Sequence, residues 1–179
     1  MSLKAIKPAL KQLKGRDGLV GAEIGVWTGV HTLFYLKELD IKCVFLIDPY
    51  IGYENYDPVK EFRMKNLEIA EQAAHARLQG YEQRIKWIKK KSAEAVEFIA
   101  DNSLDFVYID GNHSFDSVME DILLYYPKLK KGGLLSGHDY DLENVKKAVD
   151  VSIKSHGLIL HIENGAGFEK KIDWWSWKG

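Results

Sequence analysis

Short apolar runs alternate with amphipathic stretches along almost the whole chain, and this alternation constrains the fold more than any other feature. Leu19–Ile24, Cys43–Ile47, Ile85–Ile88, Phe106–Ile109 and Leu134–Ser136 read as short strands. Between and around them, residues 4–13, 31–39, 57–78, 92–99, 115–126 and 142–154 carry apolar positions at helical spacing. Pro58 falls in a first helical turn, where proline is tolerated. Ser92 is an expected N-cap, and Gly132-Gly133 an expected turn before the fifth strand. Strand–helix alternation of this kind implies βαβ units and a mostly parallel sheet covered by helices on both faces. The last two strands, Leu158–Ile162 and Ile172–Trp177, have only the loop 164–167 between them. A parallel crossover needs a dozen or more residues, so this pair should be an antiparallel hairpin. The expected fold is therefore α/β, a Rossmann-like three-layer sandwich with that hairpin at its C-terminal edge.

The 179 residues fit one domain, 1–179. A net charge of -1 provides no basic stripe for nucleic acid; Lys89–Lys91 and Lys128–Lys131 read as solvated element ends. No apolar run approaches the roughly 20 residues of a membrane span. Cys43, the lone cysteine, sits in an apolar run and reads as a packed thiol, consistent with a reducing cytoplasm.

In open parallel sheets ligands bind beyond the carboxyl ends of the strands. The first strand ends Glu23-Ile24-Gly25-Val26-Trp27-Thr28-Gly29, a turn that lets backbone approach a ligand. Asp48 ends the second strand, 19 residues after Gly29, where an acid can accept from both ribose hydroxyls. Together they point to a nucleoside. A dinucleotide site wants G-x-G-x-x-G under its pyrophosphate, and the loop has no glycine at 27 or 30. An NAD-linked oxidoreductase is thus the weaker alternative. The carboxylates instead suit a cationic amine and sulfonium.

Five stretches carry a family resemblance: Glu23–Gly29, Leu46–Tyr50, Lys91–Glu94, Val107–Phe115 and Gly132–Tyr140. The chain resembles class I S-adenosylmethionine-dependent methyltransferases, and more narrowly the small-molecule group labelled methyltransferase domain 24. The resemblance implies a seven-stranded sheet with a reversed last strand. It implies that Glu23, Gly25 and Gly29 line the methionine part of S-adenosylmethionine, with Trp27 counted among the contacts where the wider class has a glycine. It implies Asp48 on the ribose, Ser92 by the adenine, and Asp110 near the cofactor amine and the reacting centre.

Asp110, His113, His138 and Asp139 follow strands four and five, which should lie side by side. Methyl transfer to oxygen or nitrogen must align a nucleophile and remove a proton, and histidine is suited to that near pH 7. These four are the candidate catalytic residues. Carboxylates at Asp110 and Asp139 can alternatively hold Mg²⁺, as in similar metal-dependent O-methyltransferases. The third ligand usual in that group falls on Tyr140, leaving Asp141 or His113 to complete such a site. His31, His75, His156 and His161 read as local packing, with His31 close enough to the glycine loop to touch a ligand. Tyr50, Tyr53 and Tyr56 form either a lid over the substrate or a packed loop. Trp174, Trp175 and Trp177 read as core and edge packing, with a homodimer surface as the alternative. The functional expectation is methyl transfer to a small-molecule or sugar acceptor. A binding module that keeps the cofactor fold without catalysis is a further alternative.

Overall fold

A computed structural model describes residues 6–51, 60–164 and 172–179. In chain order the elements are α1 (Pro8–Lys11), β1 (Leu19–Ile24), α2 (Val30–Glu38), β2 (Ile41–Ile47), α3 (Lys60–Arg77) and β3 (Ile85–Ile88). They continue with α4 (Ser92–Ala95, extended by a 3₁₀ turn over Val96–Phe98), β4 (Leu104–Ile109), α5 (Phe115–Tyr125), β5 (Leu129–Gly137), α6 (Glu143–Ser155), β6 (His161–Asn164) and β7 (Ile172–Trp177). The strands form one sheet in the order β3-β2-β1-β4-β5-β7-β6, parallel from β3 to β5. β7 is antiparallel to both β5 and β6. This is the expected Rossmann-like sandwich with a reversed hairpin. The strand order switches direction between β1 and β4, and such switch points are where open α/β sheets bind ligands.

Each face of the sheet buries its own apolar cluster. Ile24, Val107, Ile109 and Leu135 pack with Ile122 and Tyr125 of α5 and Val149 of α6. On the other face Leu46, Phe106, Tyr108 and Leu134 pack with Leu10 of α1, Tyr35 of α2 and Ala74 of α3. The period-2 alternation of strand side chains explains the tryptophans of β7. Trp174 is buried on the first face and Trp175 on the second, while Trp177 is half-buried beneath the Arg16 guanidinium, 4.6 Å from its ring centre. All three are therefore packed within this chain.

Three local expectations change. The Gly132-Gly133 pair lies inside β5 rather than before it. Gly132 takes a positive φ of 72°, and the β4–β5 register shifts between Leu104↔Leu129 and Phe106↔Leu134, so the glycines form a bulge. The hairpin strand begins at His161 rather than Leu158, because the Leu158 N–H bonds back to Ile153 and closes α6. Lys91, not Ser92, occupies the N-cap position of α4. Ser92 is the first helical residue and hydrogen-bonds Asp121 of α5. Tyr53 and Tyr56, and most of the loop 164–167, lie outside the described residues.

Candidate active site

Sheet register builds the site. Ile24 of β1 aligns with Ile47 of β2 and Ile109 of β4, and Ile109 aligns with Gly137 of β5. The next residue on each strand therefore emerges at one level: Gly25, Asp48, Asp110 and His138. Antiparallel pairing sets Trp174 of β7 opposite Gly137, which brings Asp173 up beside His138.

The loop after β1 is shaped by backbone geometry. Gly25 has φ +85°, and a Cβ there would overlap the Asp110 carbonyl. Only glycine lets the first loop seat directly on the end of β4. Trp27 also lies in the left-handed region, with φ 50°, and about half of its surface is exposed. Gly29, φ 67°, is the N-cap of α2, and the Thr28 carbonyl accepts from the Arg77 guanidinium. A non-glycine residue in that region carries strain of order 1–3 kcal/mol, and such strain clusters at ligand sites.

The two acids of this half are engaged by the chain. Glu23 is almost fully buried and accepts from the Thr32 hydroxyl at 2.6 Å and the Tyr35 hydroxyl at 2.7 Å, with His31 Nδ1 at 3.1 Å. Burial, and then the charge of Glu23, push the Tyr35 phenol well above its usual value. One Asp48 oxygen accepts from the N–H groups of Val26 and Trp27 at 3.0 and 2.9 Å, and the other from the Tyr50 N–H at 2.9 Å. The Tyr50 hydroxyl returns to the Trp27 carbonyl at 2.9 Å, so the β1 and β2 loops clamp one another.

The second half, after β4 and β5, is made of titratable side chains facing each other. His113 Nε2 lies 3.0 Å from Asp139 Oδ2 and 3.8 Å from Asp110 Oδ1. His138 Nδ1 lies 3.3 Å from Asp139 Oδ2 and 3.7 Å from Asp110 Oδ1. All four sequence-identified residues therefore converge. The carboxylates of Asp110 and Asp139 beside it raise the His113 imidazole to about 9. Asp139 is buried with φ 57°, a conformation that an aspartate tolerates better than most residues.

Two groups join this cluster that the sequence did not single out. Lys7 Nζ stands 2.6 Å from His138 Nε2. An ammonium only donates, so Nε2 must accept and the imidazole proton sits on Nδ1, toward the carboxylates. Asp173, fully buried, lies 3.8 Å from the same Nε2 and accepts from the Tyr108 hydroxyl and the Ala9 N–H. Burial pushes its carboxyl up, against the Ala9 N–H, His138 and Lys7, which pull it down. The one sequence clue was an acid among the aromatic residues of β7.

Elsewhere the expectations of local packing hold. His75 packs on Trp87, His156 on Tyr126 and His161 on Trp175. Ser92 is tied to Asp121, whose carboxyl burial raises to about 7 against that hydrogen bond.

Oxygen or nitrogen atoms of Asp110, His113 and Asp139 all lie within 4.8 Å of one another, close enough to ligate one divalent ion. Tyr140 and Asp141 turn away from this point. The Tyr140 hydroxyl bonds Asp150 of α6, and Asp141 accepts from the Ile172 N–H.

Comparison with known proteins bears on the family and the fold. A family model described as a methyltransferase domain, the group numbered 24, matches residues 22–140. An uncharacterized protein, R132, of Acanthamoeba polyphaga mimivirus is 27% identical over 128 residues, which is 70% of this chain. The match covers 53% of that relative, so the chain aligns with only about half of it. Among solved structures, an S-adenosylmethionine-dependent O-methyltransferase from Thermotoga maritima superposes with a TM-score of 0.69 at 12% identity. The superposition covers 94% of this chain and 62% of that one. A precorrin-6y C5,15-methyltransferase from Geobacter metallireducens superposes with a TM-score of 0.68 at 16% identity, covering 95% and 86% respectively. At such identities these likenesses speak to the fold.

Proposed function

Because the chain belongs to the methyltransferase domain family matched over residues 22–140, an S-adenosylmethionine-dependent group, we propose that it methylates an oxygen or nitrogen of a small-molecule acceptor held at the ends of β4 and β5. We read residues 1–179 as one catalytic domain. The observation that carries the proposal is the bridge of His113 between Asp110 and Asp139, beside a loop that seats on the Asp110 backbone.

The residues fit the cofactor by donor chemistry. Asp48 stands at the tip of β2 with a half-buried carboxylate for the ribose, and Asp110 presents a second carboxylate for the cationic amine. Gly25, Trp27 and Gly29 shape the loop around the methionine part, Ser92 borders the adenine, and Glu23 holds the loop through α2. Val26 and Trp27 already give their N–H groups to Asp48, which leaves them unavailable to the pyrophosphate of NAD. When bound, S-adenosylmethionine supplies an electrophilic methyl on a cationic sulfur.

The chain's own residues do the rest. Asp110 faces both the cofactor loop and the acceptor position, and so sets their mutual geometry. His138, with its proton on Nδ1, holds the carboxylates in place. The Asp110–Asp139–His113 cluster takes the acceptor's proton as a coupled unit rather than through one residue. Alternatively, Asp110, His113 and Asp139 would hold a divalent cation, which would lower the pKa of an acceptor hydroxyl. Two carboxylates and an imidazole suit a transition ion better than the Mg²⁺ that the sequence left as an alternative.

Calorimetry with S-adenosylhomocysteine and with NAD tests the cofactor. Binding of the first, and its weakening in Asp48→Ala, are expected; preference for NAD overturns the reading. Labelled-methyl transfer to an acceptor panel should be lost in Asp110→Ala. Titration with Mn²⁺, Zn²⁺ and Mg²⁺ tests the cation, and heat from none of them removes it from the proposal.

A further inference from the structure

The two edges of the sheet are built differently. β3, at one edge, carries the exposed Lys86 and is followed by Lys89, Lys90 and Lys91. Lysines placed this way keep an edge strand from pairing with another chain, because pairing would bury their charge. β6, at the other edge, has no such protection. Over residues 159–164 the sequence reads Ile-Leu-His-Ile-Glu-Asn, without lysine, proline or glycine. All four residues of β6 are exposed, and Ile159 and Ile162 show 74% and 53% of their surface to solvent. β6 pairs with β7 on one side, and among the described residues no strand takes its other side. Its outward N–H and C=O groups are a ready template for one more strand. The side chains indicate what that strand should carry. Antiparallel pairing sets Glu163 opposite Asp173 of β7, acid against acid on one face of the sheet. Like charges directly opposite one another are unfavourable. Glu163 has no hydrogen bond or ion pair among the described residues, so a donor is wanted on its outer side. His161, two residues back on the same face, lies flat against the Trp175 ring with 5.5 Å between centres.

We propose that β6 pairs with β6 of a second copy of this chain, antiparallel about Ile162, so that one sheet runs through two molecules. In that register Ile162 faces the partner's Ile162, and His161 faces the partner's Glu163. Two-fold symmetry makes the second contact twice, each time an imidazole donor opposite a carboxylate acceptor. An axis at Ile162 suits the antiparallel ladder whichever of the alternating residues turn their N–H and C=O groups outward. Other registers lose the match. A slip of one residue sets Glu163 against an isoleucine or a leucine, and pairing centred on Glu163 sets that acid against its own copy. An isologous contact of this kind closes with two molecules. A four-residue strand on each side makes a small interface, at the weak end of specific association. The pairing rests on the sheet edge and not on the chemistry at the ends of β4 and β5.

Sedimentation of the full-length protein over rising concentration reads the association. The expected mass climbs toward two chains and no further. Ile162→Cys reads the register. Residues directly opposite in an antiparallel pair stand about 4.5–5.5 Å apart between Cα atoms, within reach of a disulfide, so mild oxidation should link this variant into dimers. Asn164→Cys lies two residues from the axis on each strand, about 14 Å from its copy, and should not link. The unaltered protein, whose only thiol is Cys43, is the control. His161→Glu sets two acids face to face at both ends of the contact and should weaken association about tenfold. Adding Glu163→Lys to it restores opposite charges across the contact and should recover the dimer. A chain that stays monomeric at every concentration overturns the proposal, as does a mass that climbs past two chains. Disulfide linkage through Asn164→Cys but not Ile162→Cys overturns it too, and so does a dimer indifferent to His161→Glu, since its contact then lies elsewhere. If His161→Glu does not fold, the mass of the unaltered protein and the Ile162→Cys linkage decide.

Discussion

The two halves of the site hold their carboxylates in opposite ways. After β1 and β2, Glu23 and Asp48 accept from hydroxyls, an imidazole and backbone N–H groups of their own chain. After β4 and β5, Asp110 and Asp139 face the imidazoles of His113 and His138, and the two carboxylates raise His113 to about 9. The hydroxyl and backbone donors on Glu23 and Asp48 fix both acids within the chain's own hydrogen bonds, so on the proposed reading the first half is the scaffold. The second half sets an imidazole between two carboxylates, and on the proposed reading this is where the acceptor's proton is handled. Fold and chemistry are thus divided between neighbouring strand ends of one sheet, and the seam between them is Gly25 on Asp110.

That seam offers the largest test. Gly25→Ala puts a methyl into the Asp110 backbone at φ +85°. Neither partner is a flexible side-chain end, so the loop must lift. Overpacking and the left-handed backbone together should cost about 4 kcal/mol in chemical denaturation. S-adenosylhomocysteine binding should be lost with it. Unchanged stability would mean that the two halves are not joined there.

A scaffold role for Glu23 predicts a slightly smaller loss. Glu23→Gln replaces one accepting oxygen by a donating amide NH2 facing the Thr32, Tyr35 or His31 donors of α2. Mispairing at a buried site of this kind costs about 3 kcal/mol, read as a shifted denaturation midpoint. If stability holds and only cofactor affinity falls, Glu23 belongs with the ligand-contacting acids and the contrast between the halves weakens.

Much of this was legible beforehand, for identifiable reasons. Parallel strands bury both faces and so read as unbroken apolar runs, and each run ends in the residues that build the site. Asp110, His113, His138 and Asp139 could be grouped because adjacent strand ends must be neighbours. Lys7 could not, since it meets His138 from 131 positions away through the packing of a four-residue helix. The hydrogen-bond partners of Glu23 were hidden in the same way. Its partners His31, Thr32 and Tyr35 lie across a loop whose turn depends on left-handed Gly25, Trp27 and Gly29. Two adjacent glycines signal either a turn or a bulge, and only pairing with Lys178 makes Gly132-Gly133 a bulge.

Asp121 sharpens the contrast from beneath the second half. Burial raises its carboxyl to about 7 against a hydrogen bond from Ser92. A carboxyl raised in the folded state binds more protons there than when unfolded. Its contribution to stability is therefore lost as pH rises between about 4 and 7, and above 7 it destabilises. Asp121→Asn keeps the shape without the charge, and should stabilise the protein by about 2 kcal/mol at pH 8 and far less at pH 5. Loss of stability at pH 8 would instead make Asp121 a needed ionised partner.

The smallest effect is the most specific to the chemistry. His113 is raised to about 9 by Asp110 and Asp139 together, so Asp110→Asn and Asp139→Asn should each lower it toward 6.5. Ring-proton shifts followed through a pH titration read both. Because the folded value lies above the unfolded one, the stabilising contribution is complete below about pH 6.5 and is lost as pH rises through about 9. His113 is 42% exposed, and solvent screening reduces its worth to about 1 kcal/mol. His113→Asn should flatten this part of the stability profile and leave the steeper Asp121 part at lower pH intact. A His113 that titrates at its ordinary value in the unaltered protein would show that the carboxylates do not hold it. The second half would then be a set of separate side chains rather than one proton-exchanging unit.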